Sequence, residues 1–387
     1  MGIHKLFSYL ETRELVVLYD KSRNKTNHAL FIDGTNIFGF YSQFSQNGKN
    51  SFCCVKDLII RFIPAGFVYI AMDGKSPEQK ILNQRRKKKQ AQNLVVDDQL
   101  IAKEGHYGQS FIEFGVEINC EIHYDGRDRE GEAEQKIIRR IREQISKGEL
   151  QKNQKHYVIS NDNDVIVLLL QFVDYDFSVI KIDFDEKTNQ PTYYVVDIQK
   201  VRDYFIGRVH HYCGMNDFLI ERTTNDIIFL SFFLGNDYVE CFKEIDECED
   251  AFDIMIDSYC QMNSSRSCPY RYLTDGPSFI NSNLKCFISI LITKLKNWQE
   301  KQKKNRNSKP QSKIQSYHKT KTAAKKNVKP NFNPFQREEA GDMIKALRWT
   351  LLYYLYEIPS WKYQYPILNN ITLYDFGLLI DVLISSI

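Results

Sequence analysis

The sequence predicts an α/β fold: a central, mostly parallel sheet flanked by helices, with a C-terminal helical aromatic segment. Apolar runs of strand length recur along the chain, and segments with helical spacing separate them. The three clearest runs all end in Asp at the start of a turn or helix. In open parallel sheets, ligands bind outside the carboxyl ends of the strands, so these acids are expected along one sheet edge. With 387 residues, 43% hydrophobic and 13% aromatic, the chain can bury a large core.

The elements follow in order. GIHKLFSYLETRELVVLYD reads as a short amphipathic start, with Ile3, Leu6, Phe7 and Leu10 at helical spacing. HALFIDGTNIFGF is a strand that ends at Asp33 and passes into a helix, and FVYIAMDGK ends at Asp73. DGRDREGEAEQKIIRRIREQI sets Ile137, Ile138 and Ile141 on one helical face. Glu132 and Glu134 stand in its first turn, where the helix dipole favours acids. KHYVISNDNDVIVLLL is the third strand, leading to Asp162 and Asp164. A single strand-terminal Asp is ordinarily a helix cap, but three in succession ask for another reason. YDFSVIKIDFDEKTNQPTYYVVDI has the pattern of a hairpin. TNDIIFLSFFLGNDY is an apolar helix with Gly235 as its C-cap and Asp237 just beyond. IKALRWTLLYYLYEIPSWKYQYP is an aromatic helix stopped by Pro359, either core or a base-stacking surface.

The formal charge of +3 conceals an uneven distribution. Residues 301–329 hold eleven Lys or Arg and no Asp or Glu, leaving an acidic body. That polar stretch reads as a linker without fixed structure, so three parts are expected: a core over 1–299, a basic linker over 300–332, and a C-terminal helical segment over 333–387 packing back on the core. The tract suits either an RNA tether or a nuclear-import signal. Nine cysteines, an odd number without a CxxC pair, argue against a disulfide scaffold or zinc ribbon. VIVLLLQFV and CFISILI are too short to span a bilayer. The expectation is a soluble intracellular monomer, cytoplasmic rather than nuclear, with no membrane partner.

Two chemical patterns stand out. Lys80, Gln84, Lys87 and Lys88 are spaced i, i+4, i+7 and i+8, one face of a helix, with Arg85 and Arg86 beside it. Such a face can receive a phosphate through ammonium groups and an amide donor, although an isolated basic run is ordinarily a solvated surface. The second pattern is the acids Asp33, Asp73, Glu132, Glu134, Asp162, Asp164 and Asp237. Converging on one edge, they could not all stay ionised without cations. Mg²⁺ accepts such incomplete carboxylate cages, and Mn²⁺ fits the same ligands. Two such ions can activate water and stabilise a leaving oxygen in phosphodiester cleavage.

The motifs MGIHKLFSYL, IDGTNIF, AMDGKSPEQKILNQRRKKK, GEAEQKIIRRIR, SNDNDVIVL, FLSFFLGNDY and LRWTLLYYLYEIPSWKYQYP occur in one order. In that order the chain resembles the Xrn family of 5′→3′ exoribonucleases, within the PIN-like, flap-endonuclease-like superfamily. The resemblance implies that the seven acids bind two divalent metals. It also implies that Lys80, Gln84, Lys87 and Lys88 form a pocket for the 5′-monophosphate of single-stranded RNA, and that Trp349 or Trp361 stacks on a terminal base. The implied activity is removal of mononucleotides from such ends in RNA decay.

The sequence departs from the family at several points. Both late pocket positions are Lys, which lacks the bidentate fork of the family's Arg. Gly39 stands where the family has a base-stacking His, leaving Phe38 or Phe40 as substitutes. The acidic motif reads GEAE and no Pro follows GNDY, and the family's long C-terminal domains are not expected after SWKYQYP. A structure-specific DNA 5′ nuclease shares the metal logic, but YVECFKEIDECEDAFDIM after Asp237 has no Gly-rich hairpin for duplex DNA. An inactive RNA-binding protein is the other alternative. Its retained carboxylates would be costly without metal.

Overall fold

A computed structural model describes residues 3, 5–20, 29–44, 51–62, 66–81, 107–185, 190–213, 219–264, 272–307, 334–356, 358–364 and 372–384. In chain order, α1 (Leu6–Thr12) and β1 (Val16–Leu18) precede β2 (Ala29–Asp33), α2 (Gly34–Phe44), α3 (Ser51–Phe62) and β3 (Phe67–Ala71). A short helical stretch at 78–81 is followed by α4 (Tyr107–Glu117), β4 (Glu121–Asp125), α5 (Ala133–Ser146), β5 (Lys155–Ile159) and α6 (Asp164–Leu169). The hairpin of β6 (Asp176–Asp185) and β7 (Gln190–Asp197) comes next. Beyond it lie α7 (Ile198–Cys213), α8 (Ile220–Ser231) with the 3-10 turn Phe232–Leu234, α9 (Lys243–Asp246) and α10 (Ala251–Ser264). A ribbon of β8 (Thr274–Asp275) and β9 (Ser278–Phe279) leads into α11 (Asn281–Asn307), α12 (Pro334–Leu355) and α13 (Leu373–Ile384).

The seven-stranded sheet has the order β1-β7-β6-β5-β2-β3-β4. β6, β5, β2, β3 and β4 are parallel, while β7 and β1 add antiparallel at one edge. Successive strand residues point to opposite faces, which splits the core in two. On one face Leu30, Ile32, Val68, Ile70 and Ile159 pack with α2, α3 and α4. On the other, Phe31, Tyr69, Ala71, Val158 and Val179 join the larger cluster formed by α1, α5, α6 and the later helices. This is why β2, β3 and β5 read as continuous apolar runs rather than as alternating ones.

Three features depart from the sequence reading. Val16–Leu18, read as part of an amphipathic start, is an edge strand with Val16 opposite Val196. β4 is a further parallel strand that the pattern conceals, because as an edge strand it carries Glu121 and His123 among its residues. α11 continues to Asn307, into the stretch expected as linker, and residues 308–333, with most of the basic tract, lie outside the described residues. Among the described residues no helix is long and apolar enough to cross a membrane.

Candidate active site

From β2 the chain adds β3 and β4 on one side, then returns to add β5 and β6 on the other. The resulting crevice lies between the carboxyl ends of β2 and β5, the switch point at which open α/β sheets bind ligands. Asp33 ends β2. It accepts the Ser160 hydroxyl at 2.8 Å and the Asn36 amide at 3.1 Å, while the Asn161 amide donates to Asn36 Oδ1 at 2.9 Å across the crevice. Asp162 accepts the Asp164 amide at 3.2 Å, and Asp164 accepts the Ile3 amide at 2.8 Å. That last bond draws the N-terminal residues to the site.

Asp73 follows β3. Its amide donates to Thr35 Oγ1 at 2.6 Å, and its carboxylate accepts the Ala133 amide at 2.8 Å in the first turn of α5. Helix-start amides lack intrahelical partners and favour such an anion. The Gly74 amide donates to the Gly131 carbonyl at 2.8 Å, lacing the turn after β3 to the turn before α5. A Cβ at Gly74 would fall 1.7 Å from the Arg129 carbonyl oxygen, so no larger residue fits. Gly235, with φ 81°, lets the chain leave the 3-10 turn toward Asp237.

Lys80 stands among the acids. Its Nζ lies 3.1 Å from Glu132, 3.6 Å from Glu134 and 3.6 Å from Asp237. Glu132 is fully buried, and its Oε2 accepts two phenolic hydroxyls, Tyr238 at 2.7 Å and Tyr353 at 2.8 Å. Tyr238 follows Asp237, whereas Tyr353 comes from α12 and carries the C-terminal segment into the site. On the opposite flank, Lys181 of β6 donates to the Asn161 carbonyl at 2.6 Å and faces Asp162, Asp164 and Asp33. The sequence reading did not single out Tyr238, Tyr353 or Lys181. No spacing signal marks a strand Lys or a distant helical Tyr; only the adjacency of Tyr238 to Asp237 was there to be used.

The electrostatics follow from burial of like charges. Burial, followed by the neighbouring Asp73, pushes the Asp33 carboxyl up to about 7 against the pull of its two donors. Burial also raises Asp73, Glu134 and Asp164; Lys80 pulls all three the other way. It pushes on Glu132 too, but Lys80 and the Glu134, Tyr238 and Tyr353 hydrogen bonds together hold that carboxyl below its ordinary value. Burial lowers Lys181 to about 8, whereas the acids around Lys80 more than offset its burial and keep it firmly charged.

Asp33, Asp73, Asp162, Asp164, Glu132, Glu134 and Asp237 are thus brought to one edge, within electrostatic reach of one another or of a lysine. Among the described residues no group of three or more acids, His or Cys closes into a metal cage. The Lys80 ammonium stands among them instead. The donor set nevertheless suits a hard divalent cation, being all oxygen and buried, with Asp33, Asp73, Glu134 and Asp164 raised by burial and then by neighbouring acids.

Other expectations meet the structure differently. Lys80 points into the acids rather than along an open helical face, and Gln84, Arg85, Arg86, Lys87 and Lys88 lie outside the described residues. Trp349 is not available to stack on a base. It is buried between the rings of Tyr353 and Tyr363, at 5.0 and 5.5 Å, and its Nε1 donates to the Ser360 carbonyl at 3.3 Å. Phe38 is likewise core, stacked on Tyr107, and Phe40 packs on Phe184. Trp361 is half-buried in a turn whose backbone carbonyl accepts the Glu78 amide at 3.0 Å, two residues before Lys80.

A mostly parallel sheet with a switch-point crevice of buried acids defines the class as an open α/β fold with an acidic crevice, and comparison with known proteins narrows it. Residues 107–183 match the XRN 5'-3' exonuclease N-terminus and residues 217–340 the Xrn1 helical domain. The chain belongs to the XRN family. It is 23% identical over 320 residues to 5'-3' exoribonuclease 1 of Schizosaccharomyces pombe, covering 67% of this chain and 24% of that protein. It is 20% identical over 417 residues to the Homo sapiens 5'-3' exoribonuclease 1, covering 80% of this chain and 24% of that protein. The chain therefore spans about a quarter of the length of these relatives. Among solved structures, the catalytic core of Rad2 in complex with DNA substrate overlaps with a TM-score of 0.44 at 13% identity, covering 80% of this chain and 81% of that one. T5 D15 protein co-crystallized with metal ions overlaps with a TM-score of 0.34 at 13% identity, covering 70% and 88%.

Proposed function

We propose that the chain is a metal-dependent 5′→3′ exoribonuclease that degrades single-stranded RNA bearing a 5′-monophosphate. The observation that carries this reading is the gathering of buried acids around Lys80 at the switch point. In this reading Asp33, Asp73, Glu132, Glu134, Asp162, Asp164 and Asp237 hold two divalent ions, Mg²⁺ or Mn²⁺. Bound there, such ions supply an activated water and charge stabilisation for the departing 3′ oxygen.

The chain's own groups do the rest. The bonds among Asp33, Ser160, Asn36 and Asn161 fix the crevice floor. Asp73 is held by the start of α5, and Glu132 by its two tyrosines. Lys80 supplies positive charge between the acids and the incoming terminal phosphate, and its neighbours Gln84, Lys87 and Lys88 complete the phosphate pocket. Docking the 5′ end there fixes which phosphodiester reaches the acids, so nucleotides leave one at a time. The basic tract at 301–329 holds the trailing strand, and affinity then falls steeply with salt.

The test is a time course with Mg²⁺ on one internally labelled RNA bearing a 5′-monophosphate, a triphosphate or a hydroxyl, beside a duplex DNA with a 5′ flap. Stepwise mononucleotide release from the monophosphorylated RNA alone is expected. Cutting at the flap junction would place the chain with DNA nucleases instead. In the Lys80→Ala variant, the preference for monophosphate over hydroxyl ends is expected to disappear; equal slowing on both would assign Lys80 to the acids alone.

A further inference from the structure

The two oxygens of Glu132 have opposite surroundings. Oε2 accepts the hydroxyls of Tyr238 and Tyr353 at 2.7 and 2.8 Å, and the two hydroxyls lie 3.2 Å apart. Both rings are almost fully buried and tilted against each other at 4.9 Å, so neither can swing away without breaking core contacts. Oε1 accepts neither hydroxyl; it lies 3.1 Å from the Lys80 ammonium, with the Glu134 carboxyl beside the same group. One oxygen is therefore committed to the protein and the other faces positive charge.

We propose that the Tyr238 and Tyr353 pair fixes Glu132 as a single-oxygen donor, presenting Oε1 only, and thereby selects a small octahedral divalent ion over a large one such as Ca²⁺. The inference rests on the reading that these acids hold divalent metal. Ca²⁺ takes six to eight oxygens in flexible geometry and gains coordination number where a carboxylate can offer both oxygens, whereas Mg²⁺ demands a near-ideal octahedron completed by waters, for which one carboxylate oxygen suffices. A carboxylate with one oxygen tied down by two donors suits the second kind. The tyrosines act through Glu132 and are positioning residues.

The experiment measures Mn²⁺ binding to the full chain by electron paramagnetic resonance, with Ca²⁺ as competitor and no RNA present. The wild type is expected to prefer Mn²⁺. In Tyr238→Phe/Tyr353→Phe the preference is expected to shrink by about 10- to 100-fold, the range over which outer-shell partners tune metal affinity. A merely structural role would weaken both ions equally. Tyr69→Phe is the control: it removes a similar phenol to carboxylate bond, 2.6 Å to Asp125, and should leave the ratio unchanged. Should the double variant not fold, each single variant is measured and should move the ratio part of the way. An unchanged ratio in folded variants of a metal-binding wild type overturns this proposal alone. No ion binding by the wild type overturns the metal reading and this proposal with it.

Discussion

Asp226 and Asp33 are both sealed from solvent, yet their surroundings are opposites. Asp226, in α8, accepts four donors: the Tyr259 hydroxyl at 2.7 Å, the Leu273 amide at 2.8 Å, and the Thr274 amide and hydroxyl at 2.8 and 2.6 Å. Every lone pair points at a fixed donor, and burial still leaves its carboxyl at about 6. Asp33 has two donors, faces Asp73 and Asp162, and sits at about 7. Asp125 falls between them, a strand-terminal acid served by Tyr69 at 2.6 Å and by the buried Lys136 at 3.0 Å. A carboxylate satisfied by dipoles belongs to the fold. A group of carboxylates left facing one another is stabilised by any positive charge brought among them.

The largest effect that tests this contrast should come from Lys80→Met. Removing one partner from a buried ionic group costs about 3 to 5 kcal/mol. The melting temperature in EDTA should drop accordingly, and Mg²⁺ should recover much of the loss; no recovery would mean that the acids do not accept a divalent ion.

Asp162→Asn should reduce cleavage by about 100-fold or more, given that even outer-shell changes at metal sites cost 10- to 100-fold. Its amide oxygen can still accept the Asp164 amide, and one negative charge leaves a crowded cluster, so thermal stability should hold or rise. Asp226→Asn should show the reverse signature. It turns an –NH₂ group toward existing donors and should cost about 1 to 3 kcal/mol of stability, with activity following only the folded fraction.

The pH dependence sharpens the comparison. Asp33 and Asp226 both have folded values above the unfolded one of about 3.9. Stability from each is therefore full below that pH and is lost as pH rises through about 7 and about 6 respectively. Metal-free protein should lose stability across this window. Saturating Mg²⁺ should abolish the part due to Asp33 and leave the part due to Asp226. A denaturant titration at several pH values, with and without Mg²⁺, separates the two.

The smallest effect concerns Gly39 on α2, where an added Cβ meets nothing within 4 Å. Gly39→Ala should stabilise by about 0.5 to 1 kcal/mol, readable as a small rise in melting temperature without change in metal response.

The acids Asp33 and Asp73 were legible because an apolar run buried on both faces has to end at the sheet edge, and the edge is where they stand. Residues Asp162 and Asp164 follow β5 by the same logic. β4 was not legible, since an edge strand with Glu121 and His123 lacks the apolar run. The aromatic helix was read correctly as a helix, but Trp349 spends its faces on Tyr353 and Tyr363, a choice made by packing that sequence spacing does not record. Asp125 looks like its strand-terminal siblings until Lys136 is seen beside it. Tyr353 was beyond reach for a simpler reason: it lies 221 residues from the carboxylate it serves.

That separation also orders events during synthesis. Chains emerge from the ribosome N-terminus first, at roughly 5 to 20 residues per second. The sheet and most of its acids are available well before α12 exists. Glu132 must then wait for a hydroxyl made 221 residues later, so the crevice takes its finished form only after the sheet beneath it. A nascent chain thus carries the scaffold of its site long before it carries the completed site.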